Sequence, residues 1–378
     1  MAIPPFVSLK ALSKVTFFID FRLYPKVAVS CLCGYAVSAI FDYNRMIFLI
    51  YTKGDLFIMY MLKYILKRIG LMLITFTIIF VMCFVLIKLL PINIDVGIGQ
   101  DRTIIMNQLE ARGYFKPIPE QFFLYLKRIF LEGDFGIGTN MPEFRNKPVW
   151  DTFTTMLPPT ILLNVYSSLF SVPIGIALGI FAALKKNKWQ DHTISTAVMV
   201  FISVPGFVTA SLILYFLCFK WNLLPKTMLG GTDYFTWPMF KSMIPAILSM
   251  SFGSIAGYAR FTRAELTEVL TSEFMLLART KGLTKRQATQ RHALRNAMVP
   301  IFPSIVGEFI SVLSGSLVIE RIFSIPGVGR LYLNAITFLD YDFFMMLSGF
   351  YLLIGLAAGL VIDLSYGVID PRIRMGAK

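Results

Sequence analysis

LPPTILLNVYSSLFSVPIGIALGIFAAL, residues 157–184, contains no Asp, Glu, Lys, Arg or His. A helix needs about 20 apolar residues to cross a hydrocarbon core of about 30 Å, and this run exceeds that. Lys185, Lys186 and Lys188 follow it at once, and residues 193–219 then repeat the uncharged pattern. Outward from this pair, residues 69–87, 242–259 and 343–362 are also free of charge, and 296–319 is broken only by Glu308. Strands of a membrane barrel would alternate in polarity over shorter segments, and these do not. The expected fold is an all-α polytopic membrane protein with six transmembrane helices at 69–87, 157–184, 193–219, 242–259, 296–319 and 343–362.

Composition agrees. Of 378 residues 56% are hydrophobic and only 15% charged, against about a quarter charged in soluble chains. The mean hydropathy is +0.68. A net charge of +14 would suit nucleic acid, but the cations flank apolar runs and form no basic face with interleaved aromatics. Nucleic acid is therefore not an expected partner, and the lipid bilayer is. Cys31, Cys33, Cys83 and Cys218 make no disulfide or metal framework, and His192 and His292 stand in separate connections. No metal and no cofactor is expected on this chain.

Lys and Arg set the orientation. Lys63, Lys67 and Arg68 precede the first span, the three lysines follow the second, and Arg372, Arg374 and Lys378 close the chain. The connection 260–296 carries Arg260, Arg263, Arg279, Lys281, Lys285, Arg286, Arg291 and Arg295 against Glu265, Glu268 and Glu273. Alternating spans put all four segments on one side, so both termini are expected in the cytosol. The extracytoplasmic connection 91–156 is near balance, with seven basic and eight acidic residues. Within it Phe122, Phe123, Leu126, Ile129 and Phe130 recur at helical spacing, for a helix lying on the outer leaflet, capping a pore or packing on neighbouring loops. Residues 1–60 read as an N-terminal extension. Its apolar run 27–40 is too short to span, and Met59 and Met61 offer a second natural start.

The cytosolic connection has internal design. In EFMLLARTKGLTKR, residues 273–286, Thr271 and Ser272 are placed to cap a short helix whose first turn holds Glu273. Gly282 supplies a left-handed stop, and Thr284 with Gln287 reads as a capping box opening a second helix. Ala278 is small enough for close docking, and Arg279 and Lys281 can meet acidic groups of a partner. Spacing alone also fits a solvated positive-inside loop.

These residues resemble the cytosolic loop of ATP-binding-cassette importer permeases of the oligopeptide/dipeptide/nickel branch. ARTKGL (278–283), RHALRNA (291–297) and Pro300 carry the likeness, with YILKR (64–68), GDFG (133–136), LPPT (157–160), SVPG (203–206), ERIFSIPGVGR (320–330) and DPRIR (370–374) in the family's order. The resemblance covers residues 61–374 and implies a type I importer permease domain. It implies a second permease subunit, two ATP-binding-cassette ATPase subunits below, and an extracytoplasmic peptide-binding lipoprotein above, in a bacterial plasma membrane. The helix at 273–281 would be the coupling helix, with Glu273, Ala278, Arg279, Lys281, Gly282, Leu283, Arg291 and Arg295 meeting an ATPase. The wider superfamily carries Glu-Ala-Ala before the glycine, where this chain has Leu276-Leu-Ala278, so a contact by that Glu does not transfer.

No G-x-x-x-x-G-K-[ST] occurs, so ATP is expected on partner subunits, and the chain is not expected to be an enzyme. For a translocation path the candidates are Glu308 and Pro205. An ionisable residue inside a span faces a cavity or a partner, so Glu308 either meets a peptide's amino group or contacts the second permease. Pro173 and Pro205, near Gly175, Gly179 and Gly206, can kink spans two and three. Asp363 reads as structural. The expected cargo is oligopeptide or dipeptide. Nickel chelate, haem or another small solute fits the same architecture, whereas an ion-driven carrier would predict inverted repeats and several intramembrane acids.

Overall fold

The computed structural model describes residues 63–90, 102–111 and 113–369. Two compact units divide the chain, Met1–Gly70 and Leu71–Lys378. Of the first, only the start of a helix is described. The expected extension, the second start at Met59 or Met61 and the DPRIR ending lie outside the described residues.

Helix α1 is Lys63–Leu89. The loop after it holds α2, Arg102–Ala111, and α3, Ile118–Lys127, which continues as a π turn to Glu132. Long helix α4 is Val149–Leu184, α5 is Trp189–Ser203, and α6 is Gly206–Ile213 with a π extension to Lys220. A second long helix, α7, is Trp237–Leu270. Short helices α8, Glu273–Thr280, and α9, Lys285–Ala288, lead through a π turn into α10, Leu294–Ser311. After them come α11, Leu317–Ile322, α12, Val328–Thr337, and α13, Tyr341–Ile369.

Among the described residues, α1, α4, α7 and α13 are long and apolar enough to cross a bilayer, and α5 with α6 makes a fifth if the bent pair is one span. Two expected spans are not single helices. Residues 193–219 bend by 99° between α5 and α6. Proline disfavours helical backbone at the residue before it, and Val204 is accordingly extended at φ −82°, ψ 121°, ahead of Pro205. Residues 296–319 stop helically at Ser314, turn at Gly315, and restart in α11. Pro173, by contrast, sits inside α4 without dividing it.

Helices α4 and α7 form the central pair. Ser167 meets Ser251 at 3.2 Å, and a Cβ on Gly179 would fall 2.6 Å from the Cβ of Thr262. Contacts that climb both helices together mean that the pair runs parallel. That is the arrangement alternating second and fourth spans require. Leu163, Met239, Met243 and Ile247 build the core beside it. At the end where α4 begins, the loop around 113–148 packs on α1 and α13 through Phe84, Tyr114, Tyr125 and Tyr341. Phe122, Leu126 and Ile129 take part, whereas Phe123 and Phe130 are exposed. The expected amphipathic helix is therefore α3, packed on its neighbours by one face. Asp340 accepts from the backbone N–H of Thr139, Asn140 and Met141, at 2.8–3.3 Å. Burial pushes its carboxyl up while these donors oppose the shift. Tyr114 donates to Asp342 at 2.8 Å, and burial beside that carboxylate raises the phenol.

Candidate functional site

The end where α4 and α7 finish carries α8–α10. Buried Met275 and Ala278 of α8 pack with Ala183, Leu266, Ala288, Ala293 and Ala297, so the short helices sit directly on the central pair. Ala278 thus serves close docking within this chain, since it faces inward. Glu273, Arg279, Lys281, Gly282, Arg291 and Arg295 are exposed, and Leu283 is half-buried. Beside the cations stand Leu276 at 65% and Leu277 at 56% exposure. The outward ridge of α8 is therefore part apolar and part basic, a combination that a reading based on charge passes over.

Local chemistry fixes the turn. Gly282 has φ +90° with open space at its Cβ position, so its conformation alone demands glycine. Its N–H bonds the Arg279 carbonyl, and the Leu283 N–H bonds that of Ala278. Thr284 and Gln287 form the expected capping box, with Gln287 N to Thr284 Oγ1 at 3.3 Å and Thr284 N to Gln287 Oε1 at 3.0 Å. The expected caps at Thr271 and Ser272 do not form. Their hydroxyls donate backward to Glu268 O at 3.0 Å and Val269 O at 2.6 Å. The same two carbonyls also take the backbone N–H groups of Thr271 and Ser272, each at 3.2 Å, so both residues close the end of α7 instead.

Pro205 lines a cavity of about 880 Å³ bounded by the α5–α6 bend, α7 and the start of α11. Glu308 lines a separate pocket of about 80 Å³ with Asn164, Ser167, Ser168 and Ser254. Ser168 Oγ lies 3.5 Å from its carboxylate, the outer limit of a hydrogen bond. Met250 borders both spaces, so the two path candidates are neighbours. They stand apart from the coupling residues, at a different level of α7. Asp363 borders neither space.

A third arrangement joins two of the sequence blocks. Glu320 is fully buried. Thr160 Oγ1 donates to its Oε1 at 3.0 Å, Arg330 N donates to Oε2 at 3.1 Å, and Val328 N donates to Thr160 Oγ1 at 2.9 Å. A Cβ on Gly327 would fall 2.4 Å from Glu320 Oε2 and 2.5 Å from Thr160 Oγ1, so a larger residue would have to displace the pair. LPPT and ERIFSIPGVGR are thus two halves of one contact. The signal lay in the glycines that flank an acid in 315–329.

Residues 175–375 match the family described as binding-protein-dependent transport system inner membrane component. The chain is 33% identical over 317 residues to the dipeptide transport system permease protein DppB of Lactococcus lactis subsp. cremoris, covering 83% of this chain and 100% of the relative. It is 32% identical to the protein of the same name from Bacillus subtilis, over 84% of this chain and 100% of that one. Against the oligopeptide transport system permease protein OppB of Escherichia coli it is 33% identical, over 83% and 100%.

Proposed function

The chain belongs to the binding-protein-dependent transport inner membrane component family, and from that premise we propose that it forms the path by which a bacterial ATP-driven importer moves dipeptides or oligopeptides. It is the permease, not an enzyme, and hydrolysis belongs to a separate ATPase subunit. Six spans result if α5 and α6 together make the third and α10 with α11 the fifth. Both termini and α8–α9 then face the cytosol, and the 91–156 loop faces outward. A second permease subunit completes the pore, two ATPase subunits dock below, and a peptide-binding lipoprotein delivers cargo above. This chain binds no cofactor of its own.

One observation carries the reading: an exposed, part-apolar and part-basic helix seated by Met275 and Ala278 on the central pair. A partner that moves α8 must move α4 and α7 with it, because the contact is close-packed and cannot deform continuously. Glu273, Arg279, Lys281, Arg291 and Arg295 surround the docking ridge, and Gly282 with Leu283 sets its angle. Alternating access then follows as a change of arrangement around the Pro205 cavity, with Glu308 beside it.

Gly282→Val tests the coupling. A β-branched residue at this φ costs roughly 1–3 kcal/mol, enough to swing α8 without unfolding the spans. Membrane insertion should persist, while peptide uptake and peptide-stimulated ATP hydrolysis are lost. Normal stimulation in that variant contradicts the reading.

A further inference from the structure

We propose that Arg260 is the carboxylate anchor of the 880 Å³ cavity, holding the C-terminal carboxylate of a peptide laid along α7. The inference rests on the peptide-import reading and deepens it to a named contact.

Arg260 is exposed and lines the cavity, and among the described residues no hydrogen bond or ion pair holds it. Arg263, one turn later on the same helix, is held by both oxygens of Asp191. The cavity has no Asp or Glu among its lining residues, so Arg260 is its single charge. An exposed guanidinium with no acid among its cavity neighbours favours an anion, and the planar fork of Arg matches a carboxylate with two parallel bonds.

The surface beside it suits an extended chain. Gly253 and Gly257 are exposed, with open space where a Cβ would stand, and Arg260 follows Gly257 by one turn. A peptide backbone can therefore approach α7 closely just before reaching the charge. Small residues one turn apart also admit a neighbouring helix. A helix seated there would strip water from Arg260 while this chain offers no acid in the cavity to receive it, and an unpaired charge is expensive to bury.

Cargo chemistry points the same way. Peptides of varied sequence share only their amide backbone and two charged ends. Glu308 supplies the opposite sign in the adjoining pocket, at the level of Met250 and Ser254. From Met250 to Arg260 the helix rises about 15 Å. An extended peptide of four to five residues covers about that length, so the two charges suit its two ends.

The test uses the whole transporter with its companion subunits and binding protein, reconstituted in liposomes. Uptake of tetra-alanine and of its C-terminal amide is measured with the binding protein saturated by each. Arg260→Gln is expected to lower uptake of the free acid about tenfold, and Arg260→Lys to restore much of it. The amide should enter at equal rates through wild type and Arg260→Gln. Wild-type uptake of the free acid by Arg260→Gln overturns the anchor. So does an equal loss for acid and amide, which would assign the charge to the seam with the second permease. A wild-type complex that takes up neither peptide overturns the importer reading itself, and the anchor with it. Should Arg260→Gln fail to assemble, tetra-alanine with a photoreactive C-terminal residue decides the matter on the native complex. Cross-links at 253–260 are expected, and cross-links confined elsewhere overturn the anchor.

Discussion

Thr160 uses one oxygen twice, donating to Glu320 and accepting from Val328. Thr160→Val keeps the shape and removes both bonds, leaving a buried carboxyl and a buried N–H short of partners. Each such loss costs about 1–3 kcal/mol, so the detergent-solubilised protein should melt well below wild type, while Thr160→Ser stays close to it. Neither the role of Thr160 nor that of Glu320 was legible from spacing, because 160 positions separate them and only the fold brings them together. Ala278 illustrates the same limit: its small size was readable in the sequence, but the direction it faces was not.

Elements show where local rules suffice. The capping box at Thr284 and the stop at Gly282 were readable because their partners lie within a few residues. Pro205 carried a readable kink as well, yet the uncharged run over 193–219 suggested one continuous span rather than two helices. Hydropathy registers composition, whereas the 99° bend comes from backbone sterics that composition does not contain. The same holds at Gly315, where the chain turns so that Glu320 can reach Thr160. For α8 the exposed leucines add a prediction. Leu277→Glu places a charge on the apolar ridge without touching the Met275 and Ala278 face, so the spans should stay folded. ATPase subunits should co-purify in reduced amount; full recovery of the complex would remove Leu277 from the docking surface.

Among the described residues, the candidate functional residues gather at separate levels of one parallel helix pair. The ridge of α8 sits where α4 and α7 end, the Pro205 cavity lies along α7, and the Glu320 contact closes the end where α4 begins. An importer permease needs that order, because force applied at one end must alter access at the other. Several membrane-length apolar helices were legible from the uncharged runs, since a span needs about 20 apolar residues.

The central claim is that α8 lies in the cytosol in the grip of an ATPase, and one labelling measurement addresses it. With Cys31, Cys33, Cys83 and Cys218 changed to serine, Arg279→Cys is exposed to a membrane-impermeant maleimide in right-side-out and inverted vesicles. The account predicts labelling only after inversion, and protection once the ATPase subunits are bound. Labelling from the right-side-out face would contradict it.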